Sequence, residues 1–269
     1  MGFLIAGIVL IVVAVVLWFM RKKKSSKVHY LEYTETSKIK DIKENQLSMS
    51  DSFGAGNFSL YAEVKGKAMA ETPVIAEFSK TKCVYSQSTV TREYEVLEDK
   101  KDAEGNYVKK WVRKTEIVSS HTNVANDFVI DDGTGEILVN TDGAELNTKV
   151  TFSKFEKGEE PSNKGGINFS IGGFSMSSGS TIRTIGYKYS EFSIPLHTSL
   201  YVIGDANDRS GRLQISKPTE KKVPFIISTK SEEEITDKLN KSANWMLYSA
   251  IASGVIGLGL TIYGIIKSI

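Results

Sequence analysis

The sequence predicts a mainly β domain flanked by two transmembrane α-helices. Three observations lead to this fold class. An uncharged apolar stretch lies near each end of the chain. Between these stretches, short segments alternate polar and apolar residues, which is the period of a half-buried β-strand. Runs with helical periodicity are few in that part, and the 22 glycines of the chain also favour an all-β core.

The first apolar stretch, residues 2–20, carries no charged side chain. As a helix it would reach about 28 Å, close to the ~30 Å hydrocarbon core of a bilayer. Trp18 and Phe19 follow the pattern of an aromatic interface, and Arg21–Lys24 is a basic stop. The alternative is a cleaved signal peptide, but no basic segment precedes the stretch and no small-residue cleavage site follows it. We therefore expect a transmembrane helix over residues 1–22 and a juxtamembrane connector over residues 23–54.

The second apolar stretch predicts a transmembrane helix over residues 245–267, with Trp245 and Tyr248 at one interface. Ahead of it, Ser231 and Glu234 have the spacing of a capping box. This spacing predicts a connecting helix over residues 231–244 that continues into the span.

Small residues recur at four-residue steps in the second stretch, at Ser249, Ser253 and Gly257. Such a stripe lets another helix approach closely, either the first span or a second copy of the chain in a homo-oligomer. Glycine is also common in membrane helices without this role, and the sequence favours neither interpretation.

Most basic residues near the two spans lie on the side of the β-rich domain. They are Arg21–Lys24, Lys27, Lys238 and Lys241. On the other side, Lys267 is the one basic residue. Positively charged flanks tend to stay in the cytoplasm. The distribution therefore predicts a multi-pass protein that lies in the bilayer with its soluble domain in the cytoplasm.

Charge and cysteine content exclude several function classes. Six of the 34 Lys and Arg lie outside residues 25–240, whereas all 32 Asp and Glu lie inside, so this part has a net charge of −4. Such a domain is a poor non-specific binder of nucleic acid, and we expect no nucleic-acid partner. A single cysteine excludes an intrachain disulfide and a zinc site built from several cysteines. The three histidines are widely spaced, and the sequence predicts no metal or cofactor.

The β-rich domain is predicted over residues 55–230, with strands at 59–69, 74–85, 89–97, 108–118, 199–206, 211–216 and 224–227. Residues 128–140 predict a hairpin whose tight turn contains Asp131, Asp132, Gly133 and Gly135. Both glycines are expected to supply a positive φ. A calcium loop is the alternative interpretation, but the EF-hand spacing is absent and Asp-Gly is ordinary turn chemistry.

Residues 157–181 form a flexible insertion rich in glycine and serine. Its alternating apolar residues predict a hairpin around Gly172 and Gly173; they are Ile167, Phe169, Ile171 and Phe174. One interpretation is an apolar flap that contacts the membrane or a partner. The simpler one, which we favour, is a mobile insertion with a few apolar residues.

Cys83 is the only thiol that could act as a nucleophile. A reactive cysteine needs a neighbouring cation, histidine or helix N-terminus to lower its pKa. Lys82 would point to the opposite face of the strand, so we expect a buried structural cysteine. The chain has no phosphate-binding loop, nucleophile elbow or zinc-protease motif.

Three segments carry a resemblance to a known family: EVKGKAMAETPVIAEFSKTKCVY (63–85), FVIDDGTGEILVN (128–140) and RTIGYKYSEFSIPLHTSLYVIGDA (183–206). In this order, and with PFIIS (224–228) between two spans, they resemble the GIDE (Mulan) family of membrane-anchored ubiquitin ligases. The resemblance implies that the flanked domain binds partners, and its motif residues include Cys83, Tyr85, Arg183, Gly186 and Tyr187. It also implies that ligase chemistry belongs to a zinc-binding RING module after the second span, which we expect to be absent here. RING-less members look prokaryotic, which implies a plasma membrane.

The strand order also resembles an OB-type barrel, in which a D-x-T-G turn joins the second and third strands. The fold is therefore expected to be an OB-like barrel or a small β-domain with insertions, and such barrels bind many different ligands.

The function predicted first is a membrane-anchored, non-enzymatic interaction or scaffold module with a protein partner of unknown identity. The absence of a recognisable catalytic constellation motivates it. Two alternatives remain: an accessory or transferase-like role in ubiquitin transfer, implied by the resemblance alone, and the sensing of a ligand or lipid by the OB-like domain.

Overall fold

The computed structural model describes residues 2–158 and 181–267. The chain divides into two compact units. Unit 1 comprises Met1–Gly66, Ile130–Asn147 and Ser199–Ile269, and unit 2 comprises Lys67–Val129 and Thr148–Thr198. The soluble part predicted over residues 55–230 contributes to both units.

Unit 1 contains three helices: α1 (Gly2–Tyr33), α2 (Ile39–Phe53) and α3 (Glu232–Ile266). By length and composition, α1 and α3 are candidate membrane spans. α1 continues as a helix through residues 23–33, which were expected to be connector. The prediction that α3 starts near Ser231 and runs on through the apolar stretch is confirmed, because the Ser231 side chain caps the helix by accepting a hydrogen bond from the Glu234 amide.

α1 and α3 pack against each other in antiparallel directions, since Leu4 lies beside Gly264 and Gly7 lies beside Gly257. A Cβ on Gly257 would lie only 2.9 Å from the Gly7 carbonyl oxygen. The α3 residues buried along this length recur every seven residues, which is the spacing of a helix–helix seam: Ala243, Ala250, Gly257 and Gly264.

The sheet of unit 1 is barrel-like. Its strand order is β1-β5-β6-β11-β10-β12-β7, and an additional β1–β10 pairing closes the first five strands into a ring. In this ring β6 and β11 run parallel and β10 and β11 antiparallel. The strands are β1 (Ser59–Met69), β5 (Val129–Asp131), β6 (Glu136–Val139), β7 (Glu145–Asn147), β10 (Ser199–Asn207), β11 (Gln214–Ser216) and β12 (Ile226–Ser228).

Both long helices of unit 1 are attached to this sheet by apolar packing. A buried cluster joins Leu31 of α1 and Ile235 of α3 to β10 and β12, through Tyr201, Ile203 and Ile226. Burial of several such side chains, at roughly 1.5–3 kcal/mol each, fixes the ends of both helices on the sheet.

Unit 2 contains an open sheet in which β3 lies between β4 and β9, and β8 lies beyond β9. The strands are β2 (Val74–Ile75), β3 (Lys82–Lys101), β4 (Tyr107–Val124), β8 (Lys149–Lys157) and β9 (Ile182–Pro195). The expected strand over residues 74–85 was wrong, because a turn interrupts it. The Ala76 amide bonds to the Thr81 carbonyl at 2.9 Å, and Lys80 takes a φ of 57°.

Candidate functional site

Unit 2 presents a long hairpin of β3 and β4, here called the arm, whose strand β4 is largely exposed. The two strands pair from Tyr85–Val124 to Lys101–Tyr107. β4 pairs with β3 alone among the described residues, so its other edge leaves main-chain groups unpaired. An edge of 18 residues is long, since strands usually have 3–10.

One face of the arm presents apolar side chains on β4. Tyr107 is 72% exposed, Ile117 is 69% exposed and Trp111 is 40% exposed. Their odd numbers put them on the same face, since side chains alternate along a strand. Large apolar groups in one row on an exposed strand are typical of a binding surface rather than of a core.

Ion pairs hold the polar groups of the arm in place. Arg183 of β9 pairs with Glu95 and lies over the Trp111 ring, 4.4 Å from its centroid. Arg92 pairs with Glu116 at 3.0 Å, directly across the β3–β4 ladder. Because both pairs are at least partly exposed, each contributes little stability, and only the Arg183 pair contacts Trp111.

Gly186 is required by the close approach of two strands. A Cβ at this position would lie 2.3 Å from the Glu156 carbonyl oxygen on β8. The residue therefore has a packing role in the sheet. Tyr187 beside it is buried, as is Tyr85 on β3.

Cys83 lies fully buried in unit 2, and its Sγ is 3.5 Å from the Val74 carbonyl oxygen. Burial raises the pKa of the thiol, and the Glu191 carboxylate raises it further. A thiol in this environment stays protonated and is a poor nucleophile, which agrees with the expected structural role.

Glu191 is a buried carboxylate that sequence reasoning missed. It accepts hydrogen bonds from the Phe78 amide at 2.6 Å, the Ser79 amide at 3.4 Å and the Thr151 hydroxyl at 3.1 Å. The carboxylate thus holds the 76–81 turn against the sheet. No local pattern predicts this, because the donors lie about 40 and 110 residues away.

A second missed carboxylate, Glu63, lies in unit 1 with 1% of its surface exposed. Thr36 and Tyr201 donate hydrogen bonds to it at 2.5 and 2.9 Å, and the Lys65 Nζ lies 3.0 Å away. Lys65 also bonds to Glu232 in the first turn of α3 at 3.0 Å. This network therefore connects β1 and β10 to the start of α3.

The pKa shifts in this network follow from its burial and charge. Burial and the Glu63 carboxylate raise the pKa of Tyr201 far above its ordinary value. Burial alone would lower the pKa of Lys65, but its bonds to Glu232 and Glu63 raise it. Tyr201 therefore stays neutral and Lys65 stays charged, which satisfies the buried carboxylate.

The Asp131–Gly135 turn caps a helix. Asp131 accepts from the Gly133 amide, and Asp132 Oδ1 accepts from the amides of Thr134 and Gly135. Gly133 has a φ of 82°, but Gly135 does not have the positive φ that was expected. One left-handed residue is enough to reverse the chain in this turn.

The other oxygen of Asp132 reaches α2. Its Oδ2 accepts from the Ile39 amide at 2.9 Å, and the Thr134 hydroxyl accepts from the Lys40 amide at 3.2 Å. Burial would raise the pKa of Asp132, but the hydrogen bonds that its carboxylate accepts from Ile39, Thr134 and Gly135 lower the pKa below its ordinary value. The turn thus supplies the cap that Lys38, the residue before α2, lacks.

The remaining predicted residues fall into two groups. Gly257 is buried against α1, whereas Ser249 and Ser253 are partly buried. Ile167, Phe169, Ile171 and Phe174 lie outside the described residues. Within residues 2–158 and 181–267, no group of three or more His, Cys, Asp or Glu could hold a metal ion.

Comparison with known proteins identifies the family. The family model described as "GIDE: E3 Ubiquitin ligase" matches residues 95–262, which is more than half of the chain. The chain belongs to the GIDE family. The GIDE match begins within β3 and ends within α3, so it includes the last residues of β3 and the whole of β4.

A curated relative of this GIDE chain is the "E3 ubiquitin-protein ligase SP1" of Arabidopsis thaliana. It is 24% identical over 209 residues, which cover 77% of this chain and 55% of the relative. The chain thus spans about half the length of the curated relative that it matches. No solved structure matches the chain.

Proposed function

We propose that this chain is a membrane-anchored interaction module of the GIDE family, and that its docking surface is the arm. The observation that carries the proposal is the 18-residue edge strand β4, most of whose residues are exposed and which presents Tyr107, Trp111 and Ile117 on one face. An exposed edge binds an extended segment of another protein by adding it as a further strand.

The charge of β4 indicates what that segment contains. β4 has four cations and a single acid, Glu116, which is paired with Arg92. The cations are Lys109, Lys110, Arg113 and Lys114. Arg113 and Lys114 pair with Glu93 and Glu98 of β3, which leaves Lys109 and Lys110 as the cations without an ion pair among the described residues. Two copies of this strand would repel each other, whereas an acidic segment would be attracted. We therefore propose an extended, acidic segment of a protein partner as the occupant.

The proposal also includes where in the cell the chain lies. Both apolar helices cross the bilayer, and the β-rich part lies in the cytoplasm at the plasma membrane of a prokaryotic cell. The basic flanks at Arg21–Lys24 and Lys238–Lys241 support this orientation.

An OB-type assignment of the ring in unit 1 is supported by the turn between β5 and β6 and by the parallel β6–β11 pair. Since α1 already packs against Gly257, a homo-oligomer would use other faces of the helices.

The test is site-specific photo-crosslinking in cells. A photoreactive residue replaces Tyr107 or Ile117 on β4, and Val150, which is 56% exposed on the other edge strand β8, serves as the control. We expect one protein to be captured from both β4 positions and not from Val150, with the crosslink mapped to an acidic extended segment.

A charge-reversal pair sharpens this test. Lys109→Glu with Lys110→Glu should abolish capture, whereas Lys149→Glu on β8 should leave it intact. Equal capture from β4 and β8, capture of nucleic acid or lipid alone, or indifference to the charge reversal would contradict the proposal.

A second candidate function is a role in ubiquitin transfer, supported by the family description and by the name of the Arabidopsis relative. Reconstitution of the chain with ubiquitin, an activating enzyme and a conjugating enzyme tests it. A rise in conjugates that survives Cys83→Ser would support an accessory role, because the buried thiol is not a nucleophile. No change in conjugates would eliminate this candidate.

A further inference from the structure

An open cavity of about 500 Å³ lies along one side of α1, just beyond the apolar part of the helix. Side chains of α1 alone line it, over about three helical turns: Trp18, Arg21, Lys22, Ser25, Ser26 and His29. Five of the six residues are exposed, whereas Arg21 is partly buried and follows Gly7 and Ala14, which lie beside α3, at seven-residue steps.

The cavity has the chemistry of a phosphate site. Two permanent cations, two hydroxyls and an imidazole line it, and none of its lining residues is a carboxylate. Arg21 Nε is buried and has no hydrogen-bond partner among the described residues. Lys22 Nζ lies 5.7 Å from the centroid of the Trp18 ring. One unsatisfied guanidinium nitrogen beside a second, exposed cation favours a bound anion.

Neighbouring basic residues already have partners. Lys24 Nζ donates to the Ser242 hydroxyl at 2.5 Å, and Lys27 pairs with Glu145. Within the described part of the chain, the basic residues of this segment without an ion pair or a side-chain hydrogen bond are therefore Arg21 and Lys22, which line the cavity, and Lys23, which is exposed and does not line it.

The position of the cavity along α1, relative to the bilayer, indicates which anion would occupy it. Trp18 belongs to the aromatic belt at the end of the apolar stretch, and the lining residues rise from it by up to about 16 Å. The headgroup layer of a bilayer begins at that level. We propose that this cavity binds the phosphate-bearing headgroup of an anionic glycerophospholipid, with Arg21, Lys22 and Ser25 on the phosphate and Trp18 beside the glycerol. The inference rests on the membrane anchoring proposed above.

The binding test uses the full chain in detergent and a pair of soluble short-chain lipids, dioctanoyl phosphatidylglycerol and dioctanoyl phosphatidylcholine. Isothermal titration should show binding of the anionic lipid and much weaker binding of the zwitterionic one. Lys22→Gln should weaken binding about fivefold, and Ser26→Asp should abolish it.

The matched control is Lys23→Gln, which removes the same charge from a neighbouring exposed position. We expect it to change affinity less than about twofold. Equal losses in the Lys22 and Lys23 variants would overturn the site, because they would indicate diffuse attraction to a basic segment. Equal affinity for both lipids, or inorganic phosphate that binds as tightly as the anionic lipid, would also overturn it.

Flotation with neutral liposomes separates this inference from the proposed function. A chain that floats without any preference for anionic lipid contradicts only the headgroup site. A chain that does not float contradicts the anchoring itself.

Discussion

Unit 1 closes five strands into a ring through the β1–β10 pairing, whereas the sheet of unit 2 is open and ends in two edge strands. A closed ring satisfies its own main-chain groups and offers no strand edge to a partner. The open sheet retains one long edge on β4. Beyond the ring, β12 and β7 extend the sheet of unit 1, and the outer strand β7 has three residues. The described residues therefore offer a long edge for strand addition on unit 2 and a short one on unit 1.

The two units also satisfy a buried carboxylate in different ways. Glu63 in unit 1 has a charged partner, Lys65, which in turn reaches the start of α3. Glu191 in unit 2 has amide and hydroxyl donors from a turn and a neighbouring strand. Glu63 thus connects the ring to a candidate membrane span, and Glu191 shapes a turn within the sheet.

The largest expected effect on stability comes from the hydrogen-bond network around the buried Glu63 in unit 1. Glu63→Ala leaves the Tyr201 and Thr36 hydroxyls without their buried acceptor, while Lys65 keeps its pair with Glu232, and should lower the free energy of unfolding by about 2–4 kcal/mol. Denaturant unfolding of the detergent-solubilised chain measures this. Glu63→Gln keeps an acceptor of similar size and should cost clearly less. A loss below about 1 kcal/mol for Glu63→Ala would show that the network does not stabilise unit 1.

The next effect concerns the open sheet. Gly186→Ala places a methyl group against the Glu156 carbonyl and should cost about 1–3 kcal/mol, because the strands must move apart. Ser153→Ala, an exposed change on the neighbouring strand β8 that carries Glu156, should stay within about 0.5 kcal/mol. Equal stability of the two variants in thermal unfolding would contradict the close strand approach at Gly186.

A smaller effect is expected at the turn that caps α2. Asp132→Ala should destabilise the chain by about 1 kcal/mol and should raise hydrogen exchange at the Ile39 amide. Asp132→Asn, which keeps an acceptor, should restore protection at neutral pH. Equal protection at Ile39 in the Ala variant would refute the capping role.

The same residue predicts a dependence on pH. The folded-state pKa of Asp132 lies below the ordinary value of 3.8. Its stabilisation is therefore fully present above that value and is lost as the pH falls through the folded-state pKa. When the pH is lowered from 5 through the folded-state pKa of Asp132, the amides of α2 should lose protection from hydrogen exchange in the native chain and not in the Asp132→Asn variant. A parallel acid dependence in both would assign the effect to another group.

The smallest effect on stability is expected on the arm. Arg183→Ala removes an exposed ion pair and the stack on Trp111, and should cost less than about 1 kcal/mol. If the arm is the docking surface, the same change should reduce crosslinking from Tyr107 strongly. Lys154→Ala breaks an exposed pair with Glu156 on β8 and should leave crosslinking unchanged. Equal crosslinking in both variants would exclude a binding role for Arg183.

Local patterns predicted much of the fold. The two apolar stretches, the Ser231 cap and the hairpins at 128–140 and 199–216 follow from hydropathy, capping chemistry and turn residues, all of which act over a few neighbours. The family-like segments at 63–85 and 183–206 likewise drew attention to Cys83 and Arg183. Local alternation did not reveal the 76–81 turn, since that turn is held by Glu191, which lies far along the chain.

The fold class, the two candidate spans, the DDGTG turn and the burial of Cys83 could be predicted from the chain, because each depends on hydrophobic periodicity or on contacts within a few residues. The closure of the ring, the seven-residue seam between α1 and α3, the partners of Glu63 and Glu191, and the exposed edge of β4 could be seen only in the folded molecule. Each of these is a pairing between residues far apart in the chain, and such pairings are selected by the packing of the whole sheet or helix pair rather than by any local preference.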